Sequence, residues 1–234
     1  MFFKDRKQAG KRLAAAMLKY KAENPVVLGI PRGGVPVAYE VALALDAPLD
    51  IVVVRKLGAP GQPELGIGAV VDGDHPQGVL NEEVMAALEV SKEYLDREFA
   101  RQLAEIRRRQ EAYRRGRPSE KLEGRTVIVI DDGIATGGSM RAALRGVRRS
   151  NPKRLVLAVP VAPEETIESL RPEVDDLVCL STPEFFAAIG EFYEDFRQTS
   201  DKDVTDLLDA AQRRPAVSKP SAPGHPASET PVRG

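Results

Sequence analysis

Asp131 and Asp132 stand side by side after an apolar run, Val127-Ile128-Val129-Ile130, and are followed by Gly133-Ile134-Ala135-Thr136-Gly137-Gly138-Ser139-Met140. Ionised carboxylates accept hydrogen bonds and donate none, which suits the hydroxyls of a sugar. Beyond them a loop of small residues opens into a helical stretch at Arg141-Ala142-Ala143-Leu144. Free backbone N–H groups at such a helix start, with the Thr136 and Ser139 hydroxyls, make a cradle for an anion. Gly137 and Gly138 let the backbone approach it closely. Sugar-hydroxyl acceptors beside an anion cradle imply a sugar phosphate. Two plainer readings compete. A Walker B strand also ends in acids, but its GxxxxGK[ST] partner loop is absent from the chain. A strand–turn–helix with merely capping acids does not call for so long and ordered a motif.

A second anion cradle precedes the first by roughly a hundred residues. Gly29-Ile30-Pro31-Arg32-Gly33-Gly34 follows an apolar strand and opens a helix, so it joins backbone donors to the Arg32 guanidinium. Arg55 and Lys56 are read as ending a second strand, at the sheet edge where open α/β folds place ligands. The Gly- and Pro-rich stretch Leu57–Gly66 after them fits a hinged flap, and it carries one candidate acid, Glu64. The bland reading of these groups is a surface loop with solvated charges. His75 and His225 fall in a turn and in the tail, so neither supports a catalytic triad. Phe185 and Phe186 follow the last strand, where a base could stack on them, although aromatics at helical spacing more often serve the core.

The elements that must position these groups alternate. A helix capped by Asp5 runs to about Tyr20, strands cover 26–30, 51–54, 67–71, 126–130, 154–160 and 176–180, and helices lie near 34–45, 138–149 and 163–170. That order predicts an α/β fold with a mostly parallel twisted sheet flanked by helices. Residues 81–115 break it as a charged helical insertion, with Ser91 capping the second helix and Leu95, Phe99, Leu103 and Ile106 as its apolar stripe. Its arginines alternate with Glu93, Asp96, Glu98, Glu105 and Glu111, which favours i,i+4 pairing over a nucleic-acid surface. One domain over 1–210 is expected, with hood elements at 182–210 and in the N-terminal helix, and a disordered Pro-rich tail over 211–234. The 234 residues, 42% apolar and of net charge -1, give no global pull towards nucleic acid or membrane. The single cysteine, Cys179, cannot form an internal disulfide and reads as a buried strand residue. With neither a signal-like N-terminus nor a spanning apolar run, a cytoplasmic protein is expected.

Residues 127–139 resemble the phosphoribosyl pyrophosphate (PRPP) motif of type I phosphoribosyltransferases, and Ala135-Thr136-Gly137-Gly138-Ser139-Met140 is similar to the adenine-type branch. The resemblance implies that Asp131 and Asp132 hold the ribose hydroxyls and that Ile134, Ala135, Thr136, Gly137, Gly138 and Ser139 hold the 5′-phosphate. Arg32, Gly33 and Gly34 resemble the family's pyrophosphate loop, and Arg55-Lys56 an Arg-Lys pair of adenine-type enzymes. Arg32 and Lys56 would then stabilise the departing pyrophosphate. Mg²⁺ would be held mainly by PRPP, with no protein metal ligand assigned, and a nitrogenous acceptor would attack C1 of the ribose. Ala135 stands where the hypoxanthine–guanine branch has an acid, which argues against that branch. The 81–115 insertion departs from the family and could serve as lid, hood or homodimer contact. A non-catalytic PRPP sensor is the alternative. A sugar-phosphate hydrolase or lyase would need a water-activating group, and the sequence offers none.

Overall fold

The computed structural model describes residues 1–71 and 77–213, apart from the side chains of Glu64 and Gln77. Glu64's candidate role, His75, His225 and residues 214–234 of the expected tail therefore lie outside the described residues.

The central sheet is parallel. Its strands β1 (Val26–Gly29), β2 (Leu49–Ile51), β6 (Thr126–Ile130), β7 (Arg154–Val161) and β8 (Asp176–Ser181) run in the order β2-β1-β6-β7-β8. Val26 to Gly29 of β1 sit opposite Val127 to Ile130 of β6, so the two motif-bearing strands are neighbours at the middle of the sheet. Side chains alternate with period two. Val27, Ile128, Ile130, Val156 and Ala158 face helices α1 (Arg6–Met17), α2 (Gly34–Leu45), α4 (Lys92–Arg114) and α7 (Asp201–Gln212). Val26, Leu28, Val127, Val129, Leu155 and Leu157 face α5 (Gly138–Arg148) and α6 (Glu164–Leu170). Burial on both faces explains why these strands read as continuous apolar runs.

Four expectations about the strands and the loop between them are corrected. The run Ile51–Val54 is not one strand: β2 ends at Ile51, and Val54 begins β3 (Val54–Ala59). β3 pairs antiparallel with β4 (Gln62–Val71), which pairs with β5 (Gln77–Leu80), so Ile67–Val71 belongs to a separate three-stranded sheet. β-branched residues favour a strand in either sheet, so their composition does not mark where the chain leaves one for the other. Arg55 and Lys56 thus lie on β3, not at the end of a central strand, and the expected flap loop is largely strand with a turn at Pro60–Gly61.

The insertion forms α3 (Glu82–Ala87) and α4, capped by the Asn81 and Ser91 side chains. Its fully buried face is Glu98, Gln102, Ile106 and Tyr113, while Leu103 is only half-buried. Polar residues occupy the expected stripe because they are paired: Glu98 accepts from Arg101 and Gln102, and Gln102 accepts from Arg55. The Arg101 guanidinium, then the Gln102 amide, holds Glu98 below the usual carboxylate range. Glu105 pairs with Arg108 and Arg109 as the charge pattern anticipates. Cys179 lies on the edge strand β8 and is half-buried. Helix α7 runs to Gln212, past the expected start of the tail at 211. No helix among the described residues is long and apolar enough to cross a membrane.

Candidate functional site

Parallel pairing of β1 with β6 sets their two carboxyl-end loops side by side. The contact is intimate at Gly33: a β-carbon there would lie 2.6 Å from Cγ of Asp132. Any β-carbon would have to displace that carboxylate, so glycine lets the first cradle close against the acid pair. The Pro31–Arg32 peptide immediately before is cis. Gly34 opens α2, and the amide of Gly34 bonds the Ile30 carbonyl.

The two acids differ in surroundings. Asp132 is buried, and its Oδ2 accepts from Arg6 Nε at 2.6 Å. Its backbone carbonyl accepts from the Tyr193 hydroxyl at 2.5 Å. Asp131 is half-buried, and its Oδ1 accepts the Asp132 backbone N–H at 2.8 Å. Desolvation, and then the Asp132 carboxylate, pushes Asp131 well above the usual carboxylate range; the backbone bond and the Arg6 charge offset this only in part. Burial, reinforced by the Asp132 charge, pushes the Tyr193 phenol up as well.

The second cradle is anchored at its base and open at its rim. Ile134 is buried, with its N–H on the Val161 carbonyl, and the Thr166 hydroxyl donates to the Ala135 carbonyl at 2.7 Å. Gly137 turns the chain with φ 78° and starts α5 without a side-chain cap. Ala135, Thr136, Gly138 and Ser139 are exposed around that helix start. Uncapped N–H groups, two hydroxyls and the helix dipole together favour a phosphate-like anion.

The predicted basic groups are engaged elsewhere or exposed. Arg32 follows the cis peptide, but its guanidinium leans to Asp201 of α7, 3.7 Å away. Asp201 also accepts from the Tyr113 hydroxyl of α4 at 2.6 Å. Burial, then the Asp201 bond, pushes the Tyr113 phenol up to about 12. Arg55 donates to Gln102, and burial is the first cause of its lowered pKa. Lys56 is exposed on β3. Phe185 is 85% exposed, whereas Phe186 stacks on Phe192 with centroids 5.3 Å apart. The structure thus brings together Asp131, Asp132, Gly33, Gly34 and the 134–139 loop, while Arg55 bonds Gln102 and Phe185 stands exposed. A cavity of about 660 Å³ between the end of α4, residues 119–123 and the end of α5 shares no residue with this centre.

Reasoning from sequence missed Arg6 and Tyr193 as partners of Asp132, and Asp201 as partner of Arg32. Tyr193 lies in an aromatic stretch with Phe186, Phe192 and Phe196, whereas a lone arginine in the first turn of a helix carries no comparable signal. Two carboxylates converge at the site, and no group of three His, Cys, Asp or Glu side chains suited to a metal occurs among the described residues. That donor set fits a hard cation taking most of its oxygens from a ligand and water.

The phosphoribosyl transferase domain model matches residues 3–197. The Mycobacterium tuberculosis proteins named "Putative phosphoribosyl transferase MT0597" and "Putative phosphoribosyl transferase Rv0571c" are each 45% identical over 211 residues, which is 90% of this chain and 47% of theirs. The chain therefore spans about half the length of the curated relatives it matches. The crystal structure of TT1426 from Thermus thermophilus is 48% identical, with a TM-score of 0.78 over 89% of this chain and 98% of that one.

Proposed function

Since the chain belongs to the phosphoribosyl transferase domain family, we propose that it binds PRPP with Mg²⁺ and transfers 5-phosphoribose to a nitrogenous, nucleobase-type acceptor, releasing pyrophosphate. The carrying observation is the packing of Gly33 against Asp132, which joins a Gly-rich cradle to an acid pair and a second cradle. Sugar and two anionic groups then have adjacent places. Asp131 and Asp132 accept the ribose hydroxyls, and the 134–139 loop takes the 5′-phosphate through N–H groups and hydroxyls. Loss of pyrophosphate leaves cationic character at C1, which the nearby carboxylates favour. Mg²⁺, when bound, neutralises charge on the pyrophosphate oxygens. Arg32 leaves Asp201 to meet the pyrophosphate, and Lys56 comes to it on the β3–β4 hairpin. The work of the protein is positioning and leaving-group stabilisation.

A second reading, a PRPP sensor without turnover, draws support from Arg32 lying against Asp201 rather than over the acid pair. One experiment separates the two. PRPP with Mg²⁺ is titrated by calorimetry, and pyrophosphate release is then assayed with purine, pyrimidine and pyridine bases. Binding with release on one base is the expected result and names the acceptor. Binding without release on any base favours the sensor, and absence of binding overturns both readings.

A further inference from the structure

Arg6 belongs to no motif in the chain, yet it makes the shortest ion pair of the site. It is the first residue of α1, whose N-terminus Asp5 caps by accepting the Gln8 N–H. From there the guanidinium reaches across 126 positions of sequence to Asp132 Oδ2 at 2.6 Å. A second arm donates to the Arg197 carbonyl at 2.8 Å, and the guanidinium carbon lies 3.9 Å from the centroid of the Phe196 ring. The two paired side chains are only 12% and 10% exposed. A guanidinium held at three points has little freedom left, so it fixes the rotamer of the carboxylate it touches.

The same acid is gripped from the main chain. Tyr193 donates to the Asp132 carbonyl, and the Tyr193 ring lies 5.0 Å from that of Phe196. Asp132 is thereby tied by side chain and backbone to one segment, residues 193–197, on which Arg6 also rests. Asp131 instead accepts the Asp132 backbone N–H. The pair is built asymmetrically, one carboxylate clamped and the other held by a main-chain group.

We propose that Arg6 is a positioning residue for the sugar: it aims the Asp132 carboxylate at the ribose hydroxyls and ties that carboxylate to the 193–197 segment. This rests on the phosphoribosyl reading above. Arg6 acts through Asp132 and needs no contact with the phosphate cradle, so its removal separates sugar binding from phosphate binding. A merely structural role would weaken both alike.

The test measures PRPP, ribose 5-phosphate and inorganic phosphate binding, by calorimetry and thermal shift, for wild type, Arg6→Gln, Arg6→Lys, Asp132→Asn and the Arg6→Gln/Asp132→Asn double variant. Arg6→Gln is expected to weaken both sugar phosphates about tenfold and leave inorganic phosphate unchanged, as loss of a charge-assisted pair implies. Arg6→Lys should recover part of the loss. In the Asp132→Asn background Arg6→Gln should cost little more, because the two residues act as one unit. Equal loss for inorganic phosphate, unchanged sugar binding, or tighter sugar binding by Arg6→Gln would each overturn the assignment; the last would make Arg6 a latch that the sugar displaces. Failure of the phosphoribosyl reading looks different: the wild-type protein itself would bind neither sugar phosphate.

Discussion

Gly33 and Asp132, 99 positions apart in the sequence, touch so closely that a β-carbon on Gly33 would fall 2.6 Å from the Asp132 carboxyl carbon. The first cradle therefore cannot be changed without disturbing the acid that the second motif supplies. Gly33→Ala should push the Asp132 carboxylate off Arg6 and weaken PRPP about tenfold or more, in line with the roughly 1–3 kcal/mol typical of overpacking. Calorimetry with Mg²⁺·PRPP checks this, and unchanged affinity would show that the loop yields instead.

Asp131 makes stability and binding pull in opposite directions. Its folded pKa is raised above its ordinary value of 3.8, so its contribution is fully present below that pH and lost as pH rises through the raised value. Above that window the chain carries a destabilising charge beside the Asp132 carboxylate. Asp131→Asn should accordingly raise the melting temperature at neutral pH by a few degrees, at about 2–4 °C per kcal/mol, while weakening PRPP. The difference in melting temperature between variant and wild type should shrink towards acid pH. A variant less stable at pH 7 would contradict this account.

Tyr193→Phe removes the donor to the buried Asp132 carbonyl. A lost buried hydrogen bond costs about 1–3 kcal/mol, so denaturant melts should show a lower midpoint with the same slope. PRPP affinity should fall as well, since the clamped acid loses its main-chain anchor.

Asp201→Asn releases Arg32 from its carboxylate partner and leaves the Tyr113 hydroxyl with an amide oxygen to bond. If Arg32 serves the leaving group, pyrophosphate release should speed up or stay level, whereas Arg32→Ala should lower turnover more than PRPP affinity. Loss of affinity without loss of turnover in Arg32→Ala would remove its leaving-group role.

Glu105 is held down to about 2 by Arg108 and Arg109, from an ordinary value of 4.5. The stabilisation is present above about pH 4.5 and lost as pH falls through about 2. The pairs are solvent-facing, so Glu105→Gln should cost less than about 1 kcal/mol at neutral pH, and less still in high salt.

What the sequence disclosed depended on the range of the interaction. Strand, loop and helix around Asp131 and Gly33 were legible because continuous β-branched apolar runs and Gly-rich turns are local signals. The departure of Arg55 and Lys56 to a second sheet was not, because Ile51-Val52-Val53-Val54 suits either sheet equally. The inward face of α4 was misjudged at Leu103 because Glu98 and Gln102 satisfy each other and Arg55, and no one-dimensional pattern announces a paired buried polar group. Arg6 was invisible for the same reason: its meaning lies in a partner 126 residues away.

The bridge between Phe3 and Tyr193, together with the reach of Arg6 to Asp132, bears on how such a molecule is born. A nascent chain that has emerged past Asp132 already carries both acids, but the tyrosine that clasps one of them, 61 positions later, has yet to appear. Pairing β1 with β6 likewise closes a loop of about a hundred residues, a slow kind of step. Assembly of the site is thus postponed until synthesis passes residue 193, and a truncated or proteolysed product ending before that point should emerge without a working sugar pocket.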